Sequence, residues 1–564
     1  MTVAELRVLD GPNLYFTRPA IKLTLEVSPW LALPEERVQL LTERAGFAPV
    51  ASPGVPKSDQ RRRYIARFAV HLTRAQADAT ETHLAIRGRP GPDAEQVVIA
   101  FVWRRQRAAE AFARELAPLL ETCLDGRRSI ERAMAEAADR LSRVEPGPAP
   151  TVLRPAIPII AVTGTNGKTT TVRLIAHLAR AAGHTVAYTT TDGVYRDAEL
   201  VEAGDYSGFS GAAKALAQPG IDFAVLETAR GGILLRGIGT DHNDVAVVTN
   251  VTEDHLDQYG IRTLDQLAEV KATITRITRP QGWDVLNADD PRVLAMRRQA
   301  TGQPWLLSLD ADHPAIRTTL AEGGRAISIL DGALAVMTSR RHVHRLLAVE
   351  DMPVTLAGIS SHNLRNAMSA AAAALGSGLP EAAVIAGLRS FVLDPDSNPG
   401  RANLFELDGR IVVMDYAHNE DGMRGLLEIC EGLRQSGARI FLGFGSAGDR
   451  TNLILHRLAY TAARGADRVV IGELHRYLRG RDPQDLVRRL QAGLKDGGKL
   501  NAPAFANELA ALDWMLGQSA ADDVIAVTAL SQRPEIIAYL KERGGAPIGP
   551  DRVRALVQRA RVSR

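Results

Sequence analysis

Residues 157–183 combine three features that restrict the fold more than any other part of the chain. The apolar run IPII is followed by the turn TGTNGK and then by VRLIAHLARAAG, in which apolar residues recur at helical spacing. A strand, a glycine-bearing turn and a helix in this order predict one βα unit of an α/β domain. The turn is the most informative part, because a lysine and a threonine directly follow its second glycine.

This turn predicts a phosphate-binding loop. Backbone N–H groups at a helix N-terminus, small residues and a lysine ammonium together attract phosphate. The spacing is a variant of G-x-x-x-x-G-K-[ST], because Val162 stands where the first glycine usually lies. Glycines alone would leave an ordinary tight turn as the alternative, but Lys168 and Thr169 favour nucleotide binding, with the Thr169 hydroxyl on Mg²⁺. The residues expected to bind nucleotide phosphates here are Gly164, Thr165, Asn166, Gly167, Lys168, Thr169 and Thr170.

Composition indicates a multidomain protein of the reducing cytoplasm. The 564 residues exceed one ordinary core, and 68 basic against 65 acidic residues give a net charge of only +3. This balance argues against a nucleic-acid partner or an acidic membrane surface, and no apolar run is long enough to span a bilayer. Cys123 and Cys430 lack metal-ligand spacing, so we expect buried, inert thiols and no disulfide. The run from Arg61 to Arg63 is expected to lie on a solvated face.

Proline, glycine and the alternation of elements predict three domains. The stretch EPGPAPTVLRPAIP, residues 145–158, has the composition of a stiff linker. Strand-like runs then alternate with helical segments, which is typical of a parallel sheet covered by helices, and SNPGR interrupts this series at residues 397–401. The fold class is therefore α/β, with a small α+β domain over residues 1–145, a central P-loop domain over 157–396 and a C-terminal Rossmann-like domain over 397–564.

Polar residues follow the strands that neighbour the loop. Glu227 ends the run VLE, and TNVTEDHLDQYG places Asn250, Asp254, His255 and Asp257 just after the next strand. Carboxyl ends of parallel strands share one edge of a sheet, and this is where ligands bind in doubly wound folds. Taken alone, each of these residues would more often be structural. Their shared position predicts a magnesium site at this edge.

Five motifs in a fixed order resemble the Mur-type ATP-dependent amide ligases, and most closely the Mur-ligase-like part of the cyanophycin synthetase family. They are TGTNGKTTT (163–171), LETARGG (226–232), TNVTEDHLD (249–257), LNADDP (286–291) and PGR with DYAHN (399–419), supported by SHNLRNAMSAAAAA and GDR. The resemblance extends from about residue 157 to the C-terminus. It implies a P-loop central domain and a Rossmann-like C-terminal domain.

The resemblance also implies roles for matching residues. Lys168 would hold the β- and γ-phosphates of ATP, while Thr169 and Glu227 would hold Mg²⁺ and His255 a second Mg²⁺. Lys271 occupies the position of a lysine that many Mur ligases carbamylate and use beside that metal. Further nucleotide contacts are implied for residues in LNADDP, in the second adenine-side motif and in the C-terminal domain, namely Asn287, Asp290, His362, Asn363, Arg401, Asp415 and His418.

The implied reaction joins a carboxylate to an amine. The carboxylate attacks the γ-phosphate of ATP, and an amine then displaces phosphate from the resulting acyl phosphate. The expected partners are a small amine and a carboxylate or short peptide; a homo-oligomer stays open. Two alternatives also stay open: a catalytically inactive nucleotide-binding regulatory or interaction protein, and a P-loop kinase or NTPase. An inactive protein is disfavoured because the chain keeps the phosphate, metal and closure residues together, namely Lys168, Glu227, His255, Lys271 and His418. A kinase or NTPase leaves the motifs PGR, DYAHN and GDR unexplained.

The N-terminus resembles the start of the cyanophycin synthetases through ELRVLDGPNLYFTRPAIKLTLEV. In that family an ATP-grasp ligase separates this domain from the Mur-like part, whereas here the linker at 145–158 follows directly. We therefore expect one active site, with the N-terminal domain presenting a peptide or polymer-like substrate. Formation of isolated amide bonds is expected, without processive extension of a chain.

Overall fold

The computed structural model describes residues 1–254, 256, 258–339 and 341–563. Within these residues the chain forms three sheets of four, eleven and seven strands, which follow one another along the sequence. Where the chain is described, no helix is both long enough and apolar enough to cross a bilayer. Cys123 and Cys430 are buried, as expected, and burial raises the pKa of Cys123 to about 12.

The N-terminal domain is an antiparallel sheet with helices. The strands are β1 (Thr2–Leu9), β2 (Ala20–Glu26), β3 (Ile86–Pro90) and β4 (Gln96–Val102), in the order β1-β2-β4-β3. The helices are α1 (Ser28–Ala32), α2 (Glu35–Arg44), α3 (Asp59–Ala79), α4 (Gln106–Asp125) and α5 (Ile130–Ser142). The α4 helix continues through Pro118, where the sequence predicts a kink.

The sheet of this domain is buried on both faces. Successive side chains of a strand point to opposite faces, and in β4 Val97, Ile99 and Phe101 pack into the core of the domain itself. Val98 and Ala100, on the other face, belong to a core that includes residues of the central domain. The N-terminal domain is therefore packed into the central domain and is not merely tethered to it.

Arg61 contradicts the expectation of a solvated arginine face. Its side chain is fully buried and donates hydrogen bonds of 2.6–3.3 Å to four carbonyl oxygens, those of Trp30, Leu33, Pro53 and Gly54. Arg62 is half-buried, and only Arg63 is exposed. A run of like charges does not reveal which member points inward, because the helical period places neighbouring residues about 100° apart.

The central domain contains an eleven-stranded sheet in the order β15-β14-β13-β12-β11-β10-β5-β9-β6-β7-β8. Its strands are β5 (Ile159–Thr163), β6 (Val186–Thr189), β7 (Gly193–Arg196), β8 (Glu199–Ala203), β9 (Phe223–Glu227), β10 (Asn243–Val248), β11 (Thr278–Asn287), β12 (Gln303–Leu307), β13 (Arg325–Leu330), β14 (Ala333–Ser339) and β15 (His342–Ala348). Its helices are α6 (Lys168–Ala181), α7 (Phe209–Leu216), α8 (Arg230–Leu235), α9 (Leu264–Lys271), α10 (Pro291–Met296), α11 (Pro314–Ala321), α12 (Ser361–Gly376) and α13 (Glu381–Ser390).

The middle of this sheet is parallel, which confirms the α/β prediction. Antiparallel hairpins extend both edges, β7 and β8 beyond β6 on one side and β14 and β15 beyond β13 on the other. The sequence did not predict these edges. All five residues of β8 are exposed, so this strand lacks the apolar run that marks a buried strand.

The C-terminal domain is a second α/β unit, as predicted. Its sheet has the order β20-β19-β18-β21-β17-β16-β22, and strands β17 to β21 are parallel where they pair. The strands are β16 (Asn403–Leu407), β17 (Arg410–Asp415), β18 (Ile440–Phe444), β19 (Arg468–Gly472), β20 (Ala504–Phe505), β21 (Val524–Thr528) and β22 (Ala546–Pro547). The helices are α14 (Glu420–Leu433), α15 (Asn452–Gly465), α16 (Pro483–Asp496), α17 (Glu508–Gln518), α18 (Arg533–Glu542) and α19 (Pro550–Ser563).

We predict that Arg61→Met lowers the free energy of unfolding by about 3 kcal/mol, because four carbonyl oxygens lose their donor and three of these hydrogen bonds are buried. Urea denaturation of the full chain followed by tryptophan fluorescence would measure the loss. Arg63→Met on the same helix is the matched control and should change stability little. Equal effects of the two substitutions would contradict the buried role of Arg61.

Candidate active site

A cleft of about 790 Å³ lies between the central and C-terminal domains. The carboxyl ends of β5, β9 and β10 form its floor, and residues that follow β17 face them from the other domain. This is the sheet edge at which the sequence predicts a ligand. Most of the predicted site residues line this one cleft.

The loop between β5 and α6 is shaped by two glycines. Gly164 has φ of +154° and Gly167 has φ of +85°. A Cβ atom at Gly164 would lie 1.8 Å from Oγ1 of Thr249, and one at Gly167 would lie 2.3 Å from Oδ1 of Asn366. The backbone therefore approaches its neighbours too closely for any side chain, and it leaves a concave surface with N–H groups at the start of α6.

Asn250 determines the path of this loop from the end of β10. Its Oδ1 accepts hydrogen bonds from the backbone N–H groups of Thr165 (3.1 Å) and Asn166 (2.8 Å). The Nζ atom of Lys168 donates to the carbonyl oxygen of Thr165 at 2.9 Å, which holds the ammonium over the loop. The sequence suggested Asn250 as a polar ligand, whereas the structure shows it bonded to the loop backbone.

Thr169 and Glu227 meet at the centre of the cleft. The Thr169 hydroxyl donates to Oε2 of Glu227 at 2.9 Å, and Glu227 is 2% exposed. Its other oxygen, Oε1, has no hydrogen-bond partner among the described residues. Burial raises the pKa of Glu227, and the nearby Lys168 charge opposes this shift. A buried carboxylate oxygen without a donor is suited to a cation.

Lys271 is buried in the wall of the cleft. Its Nζ atom donates to the carbonyl oxygen of Gly164 at 2.5 Å, so it lies directly behind the phosphate-binding loop. Burial lowers the pKa of Lys271 well below its usual value, and the positive charge of Lys168 lowers it further. Lys271 is therefore suited to carry a neutral amine.

The C-terminal domain contributes a cation to the cleft from above the loop. The Arg401 guanidinium lies 4.5 Å over the ring of Tyr416, with Nη2 at 3.5 Å from Oγ1 of Thr169. Asp415 supports the start of this segment, because its Oδ2 accepts the N–H of Ala402 at 2.8 Å. Burial raises the pKa of Asp415, and Arg401 opposes the shift.

His418 connects the two domains. Its Nδ1 lies 3.0 Å from the carbonyl oxygen of Tyr416, and its Nε2 lies 3.3 Å from Oδ2 of Asp254 in the central domain. Arg450, in the GDR motif, pairs with the other oxygen of Asp254 at 2.7 Å. His255, predicted as a metal ligand, and the neighbouring Asp257 lie outside the described residues. Within the described part, no three His, Cys, Asp or Glu side chains form a metal-binding group.

His362 and Asn363 begin α12 and line the far end of the cleft. The Nε2 atom of His362 lies 3.6 Å from Oδ1 of Asp421. Burial acts to lower the pKa of His362, but the Asp421 carboxylate outweighs it and the net shift is upward. Asp421 also accepts a 2.8 Å hydrogen bond from Asn166 of the loop, a link between domains that the sequence did not indicate.

Asn287 and Asp290 do not line the cleft. Asn287 donates to the carbonyl oxygen of Thr249 at 2.8 Å. Asp290 caps α10 and accepts the N–H of Val251 at 2.6 Å. Both side chains thus fix the segment after β10, and their predicted contact with the nucleobase stays a prediction.

Sequence reasoning missed Arg230, which lines the cleft at the start of α8. The signal was present in the motif LETARGG, where an arginine follows the strand-end glutamate by three residues. An arginine after a strand is usually solvated, and only the fold shows that α8 points its first residue into the cleft.

Comparison with known proteins agrees with this architecture. The Mur ligase middle domain matches residues 162–374, and the Mur ligase glutamate ligase domain matches residues 400–530. The chain carries the middle and C-terminal domains of a Mur ligase. It is homologous to cyanophycin synthetase and to Mur ligases, which are ligases that form amide bonds with ATP.

Three relatives show the extent of the similarity. The cyanophycin synthetase of Synechocystis sp. is 40% identical over 324 residues, which are 56% of this chain and 36% of that protein. The UDP-N-acetylmuramoyl-L-alanyl-D-glutamate–2,6-diaminopimelate ligase of Chlorobium phaeobacteroides is 27% identical over 60% of this chain and 65% of its own length. The structure of E. coli FolC in complex with ADP has a TM-score of 0.50 at 19% identity, covering 70% of this chain and 91% of FolC, and it supports the fold alone.

We predict that Glu227→Gln makes the metal-free Mur ligase domains more stable at neutral pH. The folded-state pKa of Glu227 is raised, so its contribution to stability is greatest below the unfolded value of about 4.5 and falls as the pH rises through the folded value. The glutamine side chain does not ionise, so the variant does not lose this stability as the pH rises. Its melting temperature should exceed that of the wild type by about 3 °C at pH 7 and by less at pH 4.5.

The same measurement with MgATP should reverse the order, because only the carboxylate can hold the cation. Glu199→Gln, on the exposed strand β8, is the control and should follow the wild type in both conditions. A Glu227→Gln variant stabilised by MgATP as strongly as the wild type would contradict a metal-binding role.

Proposed function

We propose that this chain is an ATP-dependent ligase that activates a carboxylate as an acyl phosphate and joins it to an amine. The observation that carries the proposal is the position of Arg401 and His418. These C-terminal residues reach into the cleft opposite Lys168 and Thr169, so groups from both domains surround the place where phosphate would bind. The chain spans about a third of the length of the cyanophycin synthetase of Synechocystis sp. that it matches, so its substrates are part of the proposal.

The chemistry requires charge neutralisation and exclusion of water. When the substrate carboxylate attacks the γ-phosphorus of ATP, negative charge spreads over the transferring oxygens and ADP leaves. Lys168, the N–H groups at the start of α6 and Arg401 supply positive charge there. The amine nitrogen then attacks the acyl carbon, phosphate leaves and the nitrogen loses a proton. Because an acyl phosphate hydrolyses in water, the closed contact between the domains protects it.

The residues present fit a magnesium ion bound with ATP. Oε1 of Glu227 is buried and has no donor among the residues that the structure describes, and the hydroxyl of Thr169 lies beside Oε2. One carboxylate, one hydroxyl, phosphate oxygens and waters are the ligands that Mg²⁺ prefers. When bound, the ion neutralises phosphate charge and orients the phosphates for in-line attack.

Lys271 is proposed to be carbamylated. A neutral amine adds to CO₂ with loss of one proton, and it thereby forms a carbamate with one negative charge. The lowered pKa of Lys271 favours the neutral amine, and a negative group beside Lys168 replaces the repulsion between two cations. The carbamate would be a further oxygen ligand at the metal-binding end of the cleft.

The two alternatives explain the cleft less well. A P-loop kinase or NTPase needs Lys168, Thr169 and Glu227 but gives no role to Arg401 or His418. An inactive regulatory protein would have no use for a buried carboxylate and a buried amine beside the phosphate-binding loop, since each costs stability unless it is used.

The proposal predicts discrete amide products. The protein would be incubated with ATP, Mg²⁺, each amino acid and a panel of peptides that contain aspartate or glutamate, and the products read by mass spectrometry. We expect single additions with one ADP formed per bond, since the described residues form one cleft that has a phosphate-binding loop. Lys168→Ala should abolish both the amide product and ADP formation, because the lysine side chain acts on phosphate and supports no core. Long ladders from free amino acids would contradict the single-site assignment, and ADP formation without any product would favour an NTPase.

We predict that Lys271→Ala loses at least about 100-fold in ligase rate and recovers part of it with added acetate or propionate, which would replace the carbamate oxygens. Lys271→Met, which fills the same space, is the control for packing and should leave less room for rescue. Removal of CO₂ and bicarbonate from the wild-type assay should slow the reaction reversibly. Wild-type rates in Lys271→Ala without any added acid would exclude the role.

A further inference from the structure

The N-terminal domain contacts the central domain along one wall of the cleft. Three segments of the central domain form this wall, residues 230–238, 258–262 and 264–276. Each has one part in the cleft, at Arg230, Tyr259 and Lys271 respectively. The remainder of each segment packs against the N-terminal domain, as the following contacts show.

The first segment is joined to the N-terminal domain by backbone hydrogen bonds. The N–H groups of Asp10 and Gly11 donate to the carbonyl oxygen of Arg236 at 2.8 and 3.2 Å, and the N–H of Ile238 donates to the carbonyl oxygen of Pro12 at 2.7 Å. A Cβ atom at Gly11 would lie 1.8 Å from the carbonyl oxygen of Ile238. The two segments therefore pack together without space for a side chain at Gly11.

The second segment is held near Tyr259. The Arg7 guanidinium, from β1, lies 6.0 Å from the centre of the Tyr259 ring, and Arg262 pairs with Asp93 at 2.7 Å. Between Tyr259 and Arg262 in the sequence, a Cβ atom at Gly260 would lie 2.6 Å from Cβ of Pro92. Tyr259 has φ of +53°, an uncommon conformation for a bulky residue that its surroundings must maintain.

The third segment carries Lys271. Arg89, on β3, binds both carboxylate oxygens of Glu269 on α9 at 3.1 and 3.3 Å, two residues before Lys271. On the following turn Arg276 donates to the carbonyl oxygen of Leu14 at 3.2 Å. Leu14 and Tyr15 pack into the same core as Leu267, Val270 and Ile274. The C-terminal end of the helix that holds Lys271 is thus fixed to the N-terminal domain.

We propose that the N-terminal domain is a brace for this wall of the cleft, and that Arg89 is a positioning residue for Lys271. The expected change in kcat rests on the proposed ligase function, whereas the expected change in hydrogen exchange does not. Arg89 touches neither the cleft nor Lys271, so it acts through α9. The brace is independent of any substrate that the domain presents, because its contacts face the central domain.

The test uses the full chain with three variants of the ion pair. Arg89→Met and Glu269→Gln each remove it, and the double exchange Arg89→Glu with Glu269→Arg restores opposite charges. Arg67→Met, on the exposed side of α3, is the control. Amide hydrogen exchange is measured with Mg²⁺ and a non-hydrolysable ATP analogue, and residues 264–271 are compared with residues 168–181 of α6.

We expect exchange in residues 264–271 to rise about fivefold in both single variants, the upper range for one partly exposed ion pair, and to fall again in the double exchange. Residues 168–181 should be unchanged. With the acid and amine that the product screen identifies, kcat should fall about tenfold while the KM for ATP stays within about twofold, since misplaced groups slow the chemical step.

Unchanged exchange in residues 264–271 in both single variants would overturn the proposal, as would an equal loss of kcat in Arg67→Met. Failure of the screen to find a product would count against the ligase assignment alone. The hydrogen-exchange rates of residues 264–271 test the brace without any substrate.

Discussion

The close approach of the loop between β5 and α6 to the ends of β10 and α12 is the contact on which the rest of the cleft depends. Gly164 lies against Thr249, and Gly167 lies against Asn366, with no space for a side chain at either glycine. Lys271 then bonds to the carbonyl oxygen of Gly164. The loop is thereby held from three elements before any nucleotide binds, so little conformational entropy remains to be lost on binding.

The central and C-terminal domains share an apolar core, and polar contacts join them beside it. Asp192, after β6, pairs with Arg173 at 2.9 Å in its own domain and with Arg533 at 3.0 Å in the other. Arg533 also donates to the carbonyl oxygen of Pro399, in the segment that joins the domains. Polar contacts of this kind can exchange with water at small net cost. They suit the separation and closure of the two domains that the proposed ligase cycle would require.

Much of the fold could be predicted from the sequence, because buried parallel strands are continuous apolar runs. The strands that end at Thr163, Glu227, Val248 and Asp415 all have this pattern, and the polar residues after them meet in one cleft. Edge strands such as β8 could not be predicted, since exposure removes the pattern. The buried state of Arg61 was also hidden, because its four partners are carbonyl oxygens, which every residue possesses.

The same limit applies within the site. Lys168, Thr169, Glu227, Arg401 and His418 could be placed by motif, because each occurs in a short ordered stretch. The bonds of Asn166 to Asp421 and of Arg450 to Asp254 join residues about 200 or more positions apart in the sequence. No local signal in the sequence pairs these residues with each other, and only the packing of two domains brings them together.

The two hairpins that extend the large sheet have a consequence for solubility and assembly. A sheet edge offers unpaired N–H and carbonyl groups to any other strand, and it can recruit further copies of a chain. On the outermost strand β8, Glu199 and Glu202 are exposed, and β15 at the opposite edge exposes His342, His344 and Arg345. Lys214 pairs with Glu202 within the chain, and a further strand at either edge would have to accommodate these charged side chains. The charged side chains therefore oppose the addition of another strand to the sheet.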